Sequence, residues 1–178
     1  MPERIVIFGP ESTGKTTLAR RLAGHFGEPW AEEYVRRYWD EHSGNITAAD
    51  LDAIARGQVA AEDAAAARAR RRVFLDTDLL TCTIWDDLLF PGACPGWVRE
   101  EADRRARDTA LYLLCSTDVP FAADPQRCFP DPEDRERCMR LWRDTLTRRT
   151  DRIVQIGGDW DQRFRAACDA VDRLGGNA

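Results

Sequence analysis

Ile5-Val6-Ile7-Phe8 is an unbroken apolar run that stops at Gly9, and apolar positions then recur at helical spacing over residues 16–26. The pattern predicts a buried strand over residues 4–8, a glycine loop and a helix. Pro29-Trp30-Ala31 suits a short second strand, and residues 32–40 a polar helix with aromatic positions, broken by Gly44 and Asn45. Thr47, with Asp50 three residues on, has the form of a helix start. An Ala-rich helix is predicted from there to about Arg72, its arginine-rich end favouring the helix dipole. Val73-Phe74-Leu75 reads as an apolar strand running into Asp76-Thr77-Asp78, with helical spacing again over residues 79–89. Prolines and glycines between 91 and 96 precede a charged helix over residues 97–107, and residues 111–115 form another apolar strand. A Pro- and Asp-rich stretch over residues 121–132 leads to a helix at 133–148, a last strand at 153–156 and a last helix at 160–174. Strands alternating with helices predict right-handed βαβ units: an α/β three-layer sandwich around a mostly parallel sheet.

The 178 residues suit one domain spanning residues 1–178. Hydrophobic content of 43% supplies a core, and no apolar run approaches the roughly 18 residues of a membrane span. The first apolar run is too short for a secretory signal, so a cytoplasmic protein without membrane attachment is expected. A formal charge of -5 speaks against a nucleic-acid partner. The six cysteines form no CxxC pair and are expected as buried small hydrophobes, with no zinc site at Cys128 and Cys138. Of the 26 basic residues only Lys15 is a lysine, expected at an exposed loop.

That lysine completes Gly9-Pro10-Glu11-Ser12-Thr13-Gly14-Lys15-Thr16, the GxxxxGK[ST] phosphate-binding pattern, between a predicted strand and helix. Backbone N–H groups of such a loop, with Thr17 behind it, cradle the phosphates of ATP, Lys15 adds a point charge and Thr16 offers a hydroxyl to Mg²⁺. Asp76, ending an apolar strand, has the form of the carboxylate that serves the same cation. Asp78 either joins it in the cleft, one carboxylate serving the metal and the other accepting a hydroxyl proton, or caps the helix that starts at Leu79. Glu33, Tyr34, Arg36, Arg37, Tyr38 and Trp39 gather carboxylate, guanidinium and aromatic groups suited to a flat, charged ligand; an amphipathic helix with an aromatic core stripe has the same pattern. Arg127, Arg135 and Arg137 fall in or beside the Pro-rich stretch, where a lid over residues 121–137 would bring positive charge to a transferring phosphate; a solvated charge run is the other reading. An Asn-Lys-x-Asp guanine motif cannot exist with a single lysine, and no GxGxxG follows a strand.

Taken together, GPESTGKTTL at 9–18, EYVRRY at 33–38, Ile54-Ala55-Arg56-Gly57-Gln58, FLDTD at 74–78 with Thr81 and Trp85, and LYLLCSTDVPF at 111–121 with Asp124 and Arg127 resemble the ribosylnicotinamide kinase domain of the bacterial NadR proteins, among the P-loop NTPases. The resemblance runs from residue 4 to about 156. It implies ATP-dependent phosphorylation of the 5′-hydroxyl of nicotinamide riboside. By position it assigns Lys15 and Thr16 to ATP and Mg²⁺, and Asp76 and Asp78 to the metal and hydroxyl end. Glu33, Tyr34, Arg36 and Trp85 then fall toward the nucleoside, and Arg127 and Arg135 in the lid. The family's Asp-Gly-x-Arg lid reads Asp124-Pro125-Gln126-Arg127 here, and the histidines, His25 and His42, form no nucleotidyltransferase HxGH motif, so the kinase part alone is implied. A kinase for another nucleoside or nucleotide, and a regulatory ATP-binding module, are the competing readings.

Overall fold

The computed structural model describes residues 1–175. Five strands, β1 (Glu3–Phe8), β2 (Trp30–Ala31), β3 (Arg72–Asp76), β4 (Leu111–Cys115) and β5 (Ile153–Ile156), form one sheet in the order β2-β3-β1-β4-β5. Every pairing is parallel, so the sheet expected to be mostly parallel is wholly so. Seven α-helices connect or flank them: α1 (Lys15–Phe26), α2 (Tyr34–Glu41), α3 (Leu51–Arg68), α4 (Leu79–Leu89), α5 (Gly96–Asp108), α6 (Pro132–Thr147) and α7 (Trp160–Leu174).

Central β1 explains its own sequence. Ile5 and Ile7 face the layer of α1 and α7, while Val6 and Phe8 face the layer of α3 to α6, and all four are fully buried. A strand covered on both faces reads as a continuous apolar run rather than an alternation. The capping box at Thr47 is present, both arms made by Asp50, but it opens a single 3-10 turn that leads into α3.

Two expectations need correction. The long helix ends at Arg68 rather than Arg72, because Ala69 turns extended and the Glu28 carboxylate accepts the N–H groups of Arg70 and Arg71, each at 3.0 Å. Arg72 is then free to start β3, buried and bonded through Nε to Glu3 at 2.8 Å. The cysteines are not uniformly buried: Cys115 and Cys138 are, Cys82, Cys94 and Cys168 are half-buried, and Cys128 is exposed in the 121–131 segment.

The topology sets the site. The direction in which strands are added reverses between β1 and β3, and in open α/β sheets ligands bind at such a switch point, beyond the carboxyl ends of the strands. The glycine loop leaves β1 there, and the register Ile7↔Asp76 puts the last residue of β3 beside it.

Candidate active site

The loop after β1 curls through left-handed backbone at Ser12 (φ 56) and Gly14 (φ 82) before α1 begins at Lys15. Gly14 is required twice over: its φ disfavours a side chain, and a Cβ would lie 2.6 Å from the Trp160 ring. Lys15, expected in an exposed position, is buried, with Nζ donating to Pro10 O at 2.9 Å. Helical packing explains this, since Lys15 is the first residue of α1 and its stem runs back under the loop. Two ammonium hydrogens remain for phosphate oxygens. Glu11, Ser12 and Thr13 are also buried, whereas Thr17 is exposed on the first turn of α1.

Thr16 Oγ1 donates to Asp76 Oδ2 at 2.5 Å, and Asp76 Oδ1 is buried with no partner among the described residues. Burial, followed by the charge of Glu33, pushes the Asp76 carboxyl up from its ordinary range, against the pull of Lys15. A hydroxyl beside a carboxylate with a spare oxygen suits a hard divalent cation. Thr77, between the two aspartates, has φ 62, an outlier for a β-branched residue, and its hydroxyl pairs with that of Thr81. The kink turns the chain from strand to helix so that Asp76 ends β3 and Asp78 caps α4.

Asp78 caps α4 and also stands at the cavity. Its Oδ1 accepts from Leu80 N at 3.2 Å as a helix cap, its Oδ2 accepts from the Tyr112 hydroxyl at 2.6 Å, and it lines the cavity next to the loop. Burial pushes its carboxyl up to about 6. The same cavity is walled by Gly9, Glu11, Lys15, Glu33, Arg36 and Trp85, so these expected residues are brought together. Tyr34 and Tyr38 are not. The Tyr34 ring lies against Gly57 of α3, and buried Tyr38 donates to Asp50 at 2.8 Å and stacks on His42 at 3.8 Å. They hold α2 in place, as the alternative reading of an aromatic core stripe anticipated.

Trp39 on α2, from the charged aromatic cluster of the sequence, also lines the cavity, as do Ile54 and Gln58 on α3, from a segment that carries the resemblance; Leu51 on α3, Phe90 and Trp142 lay outside the expected set. The spacing of 51, 54 and 58 is one face of a helix, a signal present in the sequence that reads equally as ordinary core. Gln58 is nearly wholly buried. Its Oε1 accepts from Tyr34 N at 2.9 Å and its Nε2 donates to Glu62 Oε1 at 3.2 Å. Glu62 also accepts from Leu79 N, Arg4 and Arg105, tying the starts of α2 and α4 together across α3.

The 121–131 segment lies down on the phosphate loop. Glu11 Oε1 accepts from Cys128 N and Phe129 N, each at 2.7 Å, and Ser12 Oγ accepts from Ala122 N at 2.9 Å. Arg135 donates to Ser12 O at 3.3 Å and Val119 O at 3.0 Å, and Arg127 reaches Ser12 Oγ and Ala122 O. Arg137 instead faces solvent beside Asp134. On the far side the segment meets α2 through Arg36–Asp124 at 3.7 Å and Gln126–Asp40 at 3.1 Å.

Comparison with known proteins agrees with this fold. A family profile described as an AAA domain matches residues 4–163. The trifunctional NAD biosynthesis/regulator proteins NadR of Escherichia coli (strain K12) and Salmonella typhimurium (strain LT2) are each 29% identical over 177 residues. Those matches take in 97% of this chain but 42% of the relatives, so the chain spans less than half their length. A crystal structure of a NadR protein in complex with NR superposes with a TM-score of 0.78 at 25% identity, over 99% of this chain and 52% of that one. Shikimate kinase from Acinetobacter baumannii in complex with shikimate shares the fold at 13% identity, with a TM-score of 0.59 over 99% of this chain and 95% of its own. The chain belongs to the AAA-domain family of P-loop proteins, and its fold is that of the P-loop kinases.

Proposed function

We propose that this protein is an ATP-dependent kinase that phosphorylates the 5′-hydroxyl of nicotinamide riboside to give nicotinamide mononucleotide. The observation that carries the reading is one cavity in which the phosphate loop, the carboxylates of Glu33 and Asp78 and an aromatic wall meet, in a chain similar along 99% of its length to a NadR protein in complex with NR.

ATP lies with its β- and γ-phosphates in the loop of residues 9–17, bound by backbone N–H groups and by Lys15. Thr16 and Asp76 would hold Mg²⁺, which when bound would neutralise phosphate charge. The acceptor hydroxyl attacks the γ-phosphorus; the new P–O bond forms as the bond to the β-phosphate bridging oxygen breaks, and ADP leaves. Asp78 and Glu33 are the carboxylates on the acceptor side that take the hydroxyl's hydrogen bond and proton, and Arg36 and Trp85 flank the nucleoside. Arg127 and Arg135, on the segment that covers the loop, act on charge that develops during transfer.

A panel of acceptors assayed for ADP release with Mg²⁺-ATP tests this. Nicotinamide riboside should show a higher kcat/KM than adenosine, uridine, thymidine or any nucleoside monophosphate. A clear preference for another acceptor moves the assignment to that nucleoside, and ATP consumption indifferent to every acceptor moves it to a regulatory ATP-binding module.

A further inference from the structure

Four buried side-chain polar atoms have no hydrogen-bond partner among the described residues: Asp76 Oδ1, Arg127 Nε, Arg135 Nε and Trp142 Nε1. Folded proteins leave few such groups unpaired, and each asks for a physical reason. On the reading above three have a use, since a bound cation would meet the aspartate oxygen and the transferring phosphate would meet the two guanidiniums. The fourth has none. Trp142 stands on α6, outside every motif of the sequence, with 0% of its surface exposed, yet it lines the same cavity as Lys15, Asp78 and Trp85.

Its chemistry narrows what it meets. An indole N–H donates and never accepts, so its partner is a lone pair. Trp85 sits edge-on to it at 5.4 Å and 75°, and Trp85 in turn lies parallel to Phe129 of the covering segment at 6.2 Å and 4°. Trp142 is therefore part of the aromatic wall. Ribose hydroxyls have carboxylates to bond in Glu33 and Asp78, which leaves the indole N–H to the ring.

We propose that Trp142 determines acceptor specificity by donating its indole N–H to a carbonyl oxygen carried on the acceptor's ring. The inference rests on the nucleoside-kinase reading, and for nicotinamide riboside the oxygen is that of the carboxamide. An acceptor with a bare ring leaves the buried N–H unpaired in the complex, and a carbonyl-bearing one satisfies it.

The test compares acceptors with and without the carbonyl-bearing group on the ring, in wild type and in Trp142→Phe, which keeps an aromatic ring and removes the donor. The pairs are nicotinamide riboside with pyridinium riboside, and inosine with purine riboside. Wild type should prefer the carbonyl-bearing member of the pair it phosphorylates by about 10-fold or more in kcat/KM. Trp142→Phe should lose that preference, with kcat/KM falling about 10-fold for the carbonyl-bearing member and within about 3-fold for the bare one. An equal fall on both members makes Trp142 purely a packing residue and overturns the proposal. Absence of discrimination in wild type overturns it without the variant, should Trp142→Phe fold poorly. Turnover of inosine in place of nicotinamide riboside would overturn the proposed function while leaving this inference to be scored on the purine pair, and activity on none of the four overturns both.

Discussion

Lys15 and the two aspartates show how much one side chain can be asked to do here. Lys15→Ala should lower turnover at least 10²-fold, because its charge acts on the transferring phosphoryl group. Stability should change by only about 1 kcal/mol, the worth of the single bond to Pro10 O, and thermal unfolding beside a turnover assay checks both halves. Asp76→Asn and Asp78→Asn should each lower turnover by about 10²-fold, but raising Mg²⁺ should recover activity in part for Asp76→Asn only, since Asp76 alone pairs with Thr16. Glu62 carries a pH signature. Burial, then the charge of Asp78, pushes its carboxyl from 4.5 up to about 7 against the pull of Arg105 and Arg4. The folded protein therefore keeps a proton that the unfolded chain releases between these values, so stability declines as pH rises through about 4.5 to 7 and levels off above. The melting-temperature difference between wild type and Glu62→Gln should shift against wild type across that window; a difference flat in pH would mean that Glu62 is ionised throughout. Lys15, Thr16 and Asp76 were legible because spacing and strand position define them. Glu62 and Trp142 were not, since a lone acid or tryptophan on a helix has no pattern that tells a buried position in the site from a surface or core one.

At the level of elements, α2 and α3 meet where a tyrosine ring replaces a side chain. A Cβ on Gly57 would overlap the Tyr34 ring, and the neighbouring Gln58 holds the Tyr34 N–H, so the start of α2, with Glu33, is seated by two consecutive residues of α3. Gly57→Ala should force them apart. Overpacking of this kind costs about 1–3 kcal/mol, and KM for the acceptor should rise while KM for ATP holds, because the loop of residues 9–17 is not part of this contact. Adding Tyr34→Ala should restore stability in part, which unfolding of the double variant would read. In the sequence Gly57 interrupts the Ala-rich helix within a segment that carries the resemblance, and the crossing element gives it a physical reason. The same segment misled at its far end, where four arginines read as a helix terminus although Glu28, 42 positions upstream of Arg70, bonds the backbone there ahead of β3, which begins at Arg72. Local patterns located the strands and helices to within a few residues. They carried no information about a carboxylate arriving from another element.

Across the whole molecule, the sheet order puts the loop after β1, the end of β3 and the start of α4 at one edge, and the 121–131 segment bridges them to α2. Alternating strands and helices implied parallel pairing, but which strands are neighbours is a matter of long-range packing that no window of sequence contains. The covering segment was visible as a Pro- and Asp-rich stretch with arginines, whereas its attachment was not, because the residue that fastens it, Glu11, occupies a variable position of the phosphate-binding pattern. One oxygen of Glu11 holds two backbone N–H groups of the segment, and Arg36–Asp124 and Asp40–Gln126 hold its other side. On the proposed function, the nucleotide and acceptor sites then share one cover. Glu11→Ala should loosen it at the nucleotide side, leaving backbone N–H groups of Cys128 and Phe129 to water. Amide exchange should rise over residues 121–131 with β1, β3 and β4 unchanged, and turnover with acceptor should fall. Acceptor-independent ATP hydrolysis should rise at the same time, because a looser cover admits water to the γ-phosphate. If exchange rises and the ratio of hydrolysis to transfer stays constant, the segment binds the loop without guarding the reaction from water.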